Sequence, residues 1–512
     1  MIRHAAALSL LAAAALAAPA RAQSPDVEPA MQAAADWRAG NAPAIMAELD
    51  ALLRIPNDAA VPEDIRANAQ HLTGLFEARG FETEILEAGD APVSVLATRQ
   101  TPGAERTLML YAHFDGQSVD RARWVSDPYD PVLMTARRDE GGEPAALETA
   151  EDFPDEWRLY ARSASDDKAP IVAILAAIDA LDAAGIAPSA NLKIFLEGEE
   201  EKGSPNLDRL LAAHADKLAA DVWIFADGPV DPSGDPRIIF GVRGVIGAEL
   251  TVYGPPGPLH SGHYGNVAPN PAARLTHLVA SMRDDEGHIL IEDFPFGETP
   301  GEAAREAART AHDDERMARD GGLAKFESAE SYGESLMRPA LNVLGLRAGP
   351  LSGAAPNAIP SEATAFLGVR LVSGQEIPAV QAAIARHVEG QGYQLVTEEP
   401  DRAVRAANAN LAKLEWEESG YAAARTPLDL AVSERLIDVV QAATGGRAHV
   451  VPTLGGSLPI SIITEAMDAP AIIIPMVNPD NNQHAPNENL RLGHLWDGID
   501  LYAAIIAEGG EF

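Results

Sequence analysis

Five short stretches gather histidine and carboxylate side chains in patterns suited to binding divalent cations: YAHFD at 111–115, SASDDKAP at 163–170, EGEEEKGS at 197–204, FADGP at 225–229 and NNQHAPNENL at 481–490. A pair of cations about 3.5–4 Å apart needs one carboxylate between them, further ligands on each and room for a shared water. These stretches carry such parts. His113 precedes Asp115 by two residues, so in extended chain both side chains point the same way and the carboxylate can orient the imidazole from behind. Asp166 and Asp167 open an expected helix, where free amides and the helix dipole favour anions. Glu199, Glu200 and Glu201 are adjacent carboxylates, one able to bind a cation while a neighbour holds a water's proton. Asp227 and the late His484 add two further donors. Singly, each has a plain structural explanation, as an N-cap, a solvated charge run, a turn aspartate or a surface histidine. Their joint occurrence is what argues for a site.

The elements that must position these groups are legible in the pattern around them. TLMLYA runs into His113, LKIFL into the glutamates and VWIFA into Asp227, each an apolar run of buried-strand length. Ligands at the C-terminal ends of parallel strands are how an open α/β sheet builds a site. PAIMAELDALLRI, EDIRANAQHLTGLFEARG and IVAILAAIDALDAAG have helical spacing, the last ending at Gly185. An α/β fold follows, with a helix-covered, mainly parallel sheet forming the catalytic domain. After GVRG at 241–244 the pattern changes to long strands, IGAELTVYG, ALNVLGLRAG and ATAFLGVRLV, with helices PAARLTHLVASM and IPAVQAAIARHVEG between them. The expected domains are therefore 23–243 and 403–512 for the two parts of the first unit, with an inserted α+β domain at 244–402. The charged 283–335 stretch is expected to be helical or looped at the surface.

Residues 1–22 read as a secretory signal: Arg3 and His4, an apolar Ala5–Ala18 core, then Ala20-Arg21-Ala22. The apolar run falls short of the ~20 residues that span a bilayer, and no later stretch is long and apolar enough, so the mature chain is expected to lack a membrane span. Export to a periplasm or the medium is the expectation. The chain has no cysteine, which rules out disulfides, thiolate metal sites and a lipoprotein anchored through a lipidated cysteine. Its formal charge is −37, or −39 once Arg3 and Arg21 leave with the signal. Such a surface repels nucleic acid and anionic lipid.

The chain resembles the di-zinc aminoacylase/carnosinase-type metallopeptidases, a group that includes carboxypeptidase G, tripeptidase and desuccinylase relatives. The markers are LYAHFDGQSVD, WVSDPYDP, SASDDKAP, FLEGEEEKGSPNL, FADGP, FGVRG, LHSGHYGN, VRLVSGQ, GGSLPI and HAPNENL, in family order over the mature chain. The resemblance implies two zinc ions, with cobalt or manganese as substitutes: His113 and Asp227 on one, Glu201 and His484 on the other, Asp166 bridging. It implies Asp115 behind His113, Glu200 as general base with Glu199 as the alternative register, and a cis peptide between Asp166 and Asp167. His260 would reach a neighbouring subunit's active site, so the resemblance implies that the inserted 244–402 domain is a lid or dimerisation domain and that the protein is a homodimer. Arg370, Gly456 and Ser457 would receive a substrate carboxylate, with Asn357 as a further contact. Two features depart from the pattern. Ala161, Ser163 and Ala169 stand where relatives commonly carry glycine, and extra acidic material occupies 138–156, where it could line the mouth of the site.

The function implied is a secreted zinc metallopeptidase that hydrolyses an amide bond of dipeptides, or the C-terminal residue of short peptides, with water as nucleophile. N-acyl-amino-acid deacylation is the runner-up, since it uses the same machinery. A peptide-binding protein without turnover would have no use for Glu200 beside a cation's water, and a purely structural dimerisation role leaves the ligand set unexplained.

Overall fold

The computed structural model describes residues 25–328, 330–350, 357–456 and 458–512. The signal read at 1–22 and the Ser457 contact lie outside the described residues. Among those described, no helix is long and apolar enough to cross a membrane.

The catalytic unit is built on an eight-stranded sheet with the order Glu82–Leu86, Ser94–Arg99, Asn191–Glu197, Thr107–His113, Val222–Phe225, Ala471–Ile473, Arg237–Ile239, His449–Val451. Its centre is parallel: Thr107–His113 lies between Asn191–Glu197 and Val222–Phe225 and runs with both, and Ala471–Ile473 runs with Val222–Phe225. The two outermost strands on one side add antiparallel pairs. Side chains alternate across a strand, and Thr107–His113 shows the consequence. Leu108, Leu110 and Ala112 enter the core layer under the Lys168–Ala184 and Leu492–Glu508 helices, while Met109 and Tyr111 enter the opposite layer with Phe195, Trp223 and Phe225. The sheet is thus buried on both faces, as near-continuous apolar strands require.

The helix after the bridge segment, Lys168–Ala184, is buried along most of its length and stops at Gly185, whose φ of 70° suits a residue without a Cβ. Lys168, fully buried, donates from Nζ to the carbonyls of Leu52 and Ile55 at 2.9 Å each, tying the first long helix, Glu28–Leu53, and the residues just after it to the bridge segment.

The second unit has its own core and a five-stranded sheet, ordered Ala340–Arg347, Glu362–Leu371, Gly244–Tyr253, Leu411–Tyr421, Gln394–Leu395. Helices Pro271–Ala280 and Ile377–Gly390 pack on it through Leu275, Leu278, Val380 and Ile384. Two boundaries differ from expectation. Leu411–Tyr421 pairs along Gly244–Tyr253, so the second sheet continues past 402 and the chain crosses back at Ala424–Arg425, which pairs with Gly241–Val242. The charged residues of LAKLEWEESGY mask its period-two pattern; Ala412, Leu414 and Trp416 pack inward while Glu415 and Glu417 are exposed. Within 283–335, helices Glu302–Thr310, Asp314–Asp320 and Tyr332–Leu336 form, and Ala304, Ala308 and Ala311 pack into the cores of the catalytic unit. That part of the excursion belongs by packing to the first unit.

A smaller four-stranded antiparallel sheet joins Asn489–Arg491, Arg158–Tyr160, Val132–Met134 and Pro144–Ala145. The extra acidic segment is folded into it.

Candidate metal centre

Three adjacent strand ends deliver the first groups. His113 is the last residue of its strand and pairs in register with Glu197, two residues before Glu199, while Asp227 follows Phe225 on the other neighbour. The ladder therefore fixes where these side chains start. Asp166 and His484 arrive from loops. The donor atoms assemble into two groups that share Asp166: His113, Asp166 and Asp227 within 4.8 Å of one another, and Asp166, Glu201 and His484 within the same span. His113 Nε2 lies 2.9 Å from Asp166 Oδ1, and His484 Nε2 lies 3.1 Å from Asp166 Oδ2 and 3.0 Å from Glu201 Oε2. The peptide between Asp166 and Asp167 is cis.

Asp115 is fully buried behind this arrangement and touches both groups. Its carboxylate lies 3.3 Å from His113 Nδ1, and it accepts the backbone N–H of Glu200 at 3.1 Å and of Glu201 at 3.0 Å. The three consecutive glutamates then separate. Glu199 turns away and accepts from Asn206 Nδ2 at 2.7 Å, Glu200 Oε2 comes 4.0 Å from His113 Nε2, and Glu201 joins the second group, where Gln117 Nε2 donates to it at 2.9 Å. Of the two candidate bases, Glu200 is the one that faces the cluster.

Residues to which the sequence assigned no ligand or catalytic role hold the bridge in place. Glu488 is fully buried and accepts from the backbone N–H groups of Ser163, Ser165 and Asp166 at 3.0 Å each, and from Arg162 Nη1 at 2.7 Å. It lies inside the quoted HAPNENL motif, yet a lone acid among asparagines gives no signal of its own. Ser163, in a position of expected glycine, adopts φ 60°, and its Oγ accepts from Asn57 Nδ2 at 2.9 Å. Room for that hydroxyl comes from Gly116, where an added Cβ would sit 2.4 Å from it. The left-handed serine is thus accommodated by a glycine packed against it.

Electrostatics favour positive charge here. Burial pushes the Glu200 carboxyl well above its usual range, reinforced by Asp227, Glu201 and Asp166 against His113. Asp227 is pushed up to about 7 by burial and by Asp166. Burial acts on Asp166 in the same direction, but hydrogen bonds from His113 and His484 hold it well below the carboxylate range. Hydrogen bonds to Asp166 and Glu201 raise His484 to about 10. Glu201 Oε1 is buried without a hydrogen-bond donor among the described residues. Three carboxylates and two imidazoles, with no lysine, arginine or thiolate among them, fit a pair of divalent cations that accept oxygen and nitrogen donors.

The remaining expected contacts fall in the second unit or at its junction. His260 and Asn357 are exposed neighbours: Leu259–His260 pairs with Ala358–Ile359, and the carbonyl of Asn357 accepts from Ser261 N–H at 2.6 Å. Neither belongs to the cluster within this chain. Arg370 is half-buried on the Glu362–Leu371 strand, opposite Val245. It is close enough to the buried Arg243 to add to burial in drawing that guanidinium down to about 10. Tyr421 is raised by burial and by Glu200, with Arg370 acting oppositely, so it links the arginine strand to the cluster. Gly456 is exposed and its carbonyl accepts from Arg243 N–H at 3.3 Å.

Residues 109–508 match Peptidase family M20/M25/M40. The chain belongs to that family. This M20-family chain is 25% identical over 485 residues to the Cys-Gly metallodipeptidase dug1 of Schizosaccharomyces pombe, covering 92% of this chain and 94% of the relative. It is 24% identical to the human Beta-Ala-His dipeptidase, covering 81% and 77%. Among solved structures, the M20 family metallo-carboxypeptidase Sso-CP2 from Sulfolobus solfataricus superimposes with a TM-score of 0.69 at 25% identity, covering 90% of this chain and 98% of that one. The M20-family chain is accordingly a metallopeptidase, with the α/β catalytic fold and second unit expected of it.

Proposed function

We propose that this metallopeptidase is an exported di-zinc dipeptidase that cleaves the amide bond of small peptides bearing a free C-terminal carboxylate. The observation that carries the reading is the sharing of Asp166 between two ligand groups with Glu200 beside them. Cys-Gly and Beta-Ala-His dipeptidases among the relatives support a dipeptide substrate, and the signal-like 1–22 segment supports export.

His113, Asp227, Glu201, His484 and the shared Asp166 would hold two zinc ions, which would supply Lewis acidity to a carbonyl and make a water more acidic. Glu200, facing the cluster, is placed to take a proton from a water as its oxygen bonds to the carbonyl carbon, and to deliver that proton to the amine nitrogen as the C–N bond breaks, a role suited to a carboxyl whose affinity for protons is raised by burial. Asp115 keeps His113 in one tautomer and fixes the turn from which Glu200 projects. Arg370, with the loop at Gly456 and Ser457, receives the substrate's carboxylate as a planar fork and loop amides do. His260, supplied by the second protomer of a homodimer, supports the developing oxyanion, with Asn357 beside it.

The test is a panel of dipeptides set against N-acetyl and N-succinyl amino acids, with the purified chain and added zinc. Dipeptide turnover exceeding that of every N-acyl compound is expected. Release of acyl groups with no dipeptide cleavage would replace this reading by deacylation.

A further inference from the structure

The loop that carries His484 is the least regular part of the cluster. Asn482, His484 and Asn487 have φ of 57°, 60° and 64°, the left-handed region that residues other than glycine rarely adopt. No strand ladder holds His484 itself, so something else must fix where its imidazole points.

Two arginine contacts flank it. Four residues before His484, Asp480 is gripped in a fork by Arg158, whose Nη1 donates to Oδ1 and Nη2 to Oδ2, both at 2.8 Å. Arg158 is 7% exposed, also donates to Asn489 Oδ1 at 2.8 Å, and sits in the strand that pairs with Asn489–Arg491. Arg137 Nη1 adds a further donor to Asp480 Oδ2 at 3.1 Å. Three residues after His484, Asn487 Oδ1 accepts from Arg138 Nη1 at 3.2 Å and from Val125 N–H at 2.9 Å. Arg138 is itself held by Ser126 Oγ at 2.9 Å and lies over the Tyr160 ring at 4.2 Å. The arginines stand at the two ends of the extra acidic segment. Its turn shapes their presentation: Thr135 N–H donates to the Glu143 carbonyl at 2.9 Å and Gly142 N–H to that of Arg137 at 2.9 Å.

We infer that the 132–160 segment is a brace for the His484 loop, acting through Arg158–Asp480 and Arg138–Asn487, and that it sets how tightly the Glu201/His484 group holds its cation relative to the His113/Asp227 group. This rests on the two-cation reading of the cluster. Arg158, Arg138 and Asp480 are positioning residues: among the described residues none of them contacts the donor atoms, and each fixes the backbone on one side of His484. The role differs from lining the mouth of the site, because the contacts are made by the flanking arginines. The acidic Asp139 instead pairs with Arg137 at 2.6 Å.

The experiment measures both cation affinities of the full-length chain by chelator competition, with zinc and then with cobalt, whose absorption reports each site's ligand geometry. It is run on wild type, Asp480→Asn and Arg138→Gln. Removing a group that contacts a metal ligand directly typically costs about 10–100-fold in affinity, and a brace acting through the adjoining backbone is expected at the lower end of that range. The expected result is one weakened ion of the two, by about tenfold or more, an altered cobalt spectrum for that ion alone, and kcat restored by excess zinc. Arg138→Gln alters a partly exposed contact and serves where Asp480→Asn does not fold. Folded variants that hold both ions as wild type does, or lose both equally, would overturn the brace. Wild type that fails to bind two ions would instead sink the two-cation reading.

Discussion

The two groups of the cluster are held in unlike ways. His113 is fully buried at the end of a central strand, its backbone N–H donating to Asp167 Oδ2 at 3.2 Å and its ring backed by Asp115. His484 keeps 54% of its side chain exposed, on a loop with three left-handed residues, and is positioned by contacts to its neighbours in the chain. A strand exit places a ligand through the same hydrogen-bond ladder that makes the sheet. A loop ligand needs its own set of partners, and here these come from Glu488, Asp480 and the arginines facing them. Asp166 joins the two regions, with both imidazoles on its carboxylate.

The sharpest way to break this contrast is to remove what the groups share. Asp166→Ala takes a ligand from both, and dialysed protein is expected to retain neither ion and to show no turnover; retention of even one ion at wild-type affinity would refute the shared bridge. Glu200→Gln leaves both groups intact, so metal content should match wild type while kcat falls by about 10²–10⁴, with little change in KM. Full activity in that variant would remove Glu200 as the base. Asp115→Asn touches both groups from behind, and about 10–100-fold weaker metal binding is expected. The buried His113 side should suffer more, because Asp115 meets its ring directly and meets Glu201 only through a backbone amide.

A carboxyl outside the cluster is shifted chiefly by burial. Asp500 is raised to about 6 by burial, with Arg38 opposing at 3.8 Å and Asp497 reinforcing. Its folded pKa lies above the unfolded value, so the stability it contributes is present below about pH 4 and lost as pH rises through about 6. Asp500→Asn should therefore gain on wild type between pH 5 and 7.5, by about 1 kcal/mol, read as a difference in Tm. A constant difference across that range would show that the carboxyl titrates normally.

The same contrast governs what the sequence makes legible. His113, the glutamates and Asp227 announce themselves because an apolar run ends on each, and a buried parallel strand must end at the site face of the sheet. His484 has no such frame and is found only through the motif around it. The glutamate register turns on which carboxylate Asn206 captures and which amides Asp115 accepts, contacts that spacing cannot express. Glu488 is indistinguishable from a solvated acid until Arg162 and three backbone amides close around it. Leu411–Tyr421 escapes notice because exposed glutamates occupy one face of a strand whose other face is the core.

The most direct test of the shared centre is diffraction from zinc-loaded crystals measured on both sides of the zinc absorption edge. Two anomalous peaks about 3.5–4 Å apart are expected, with the Asp166 carboxylate between them, His113 and Asp227 on one and Glu201 and His484 on the other. A single peak, or peaks that Asp166 does not join, would contradict the account.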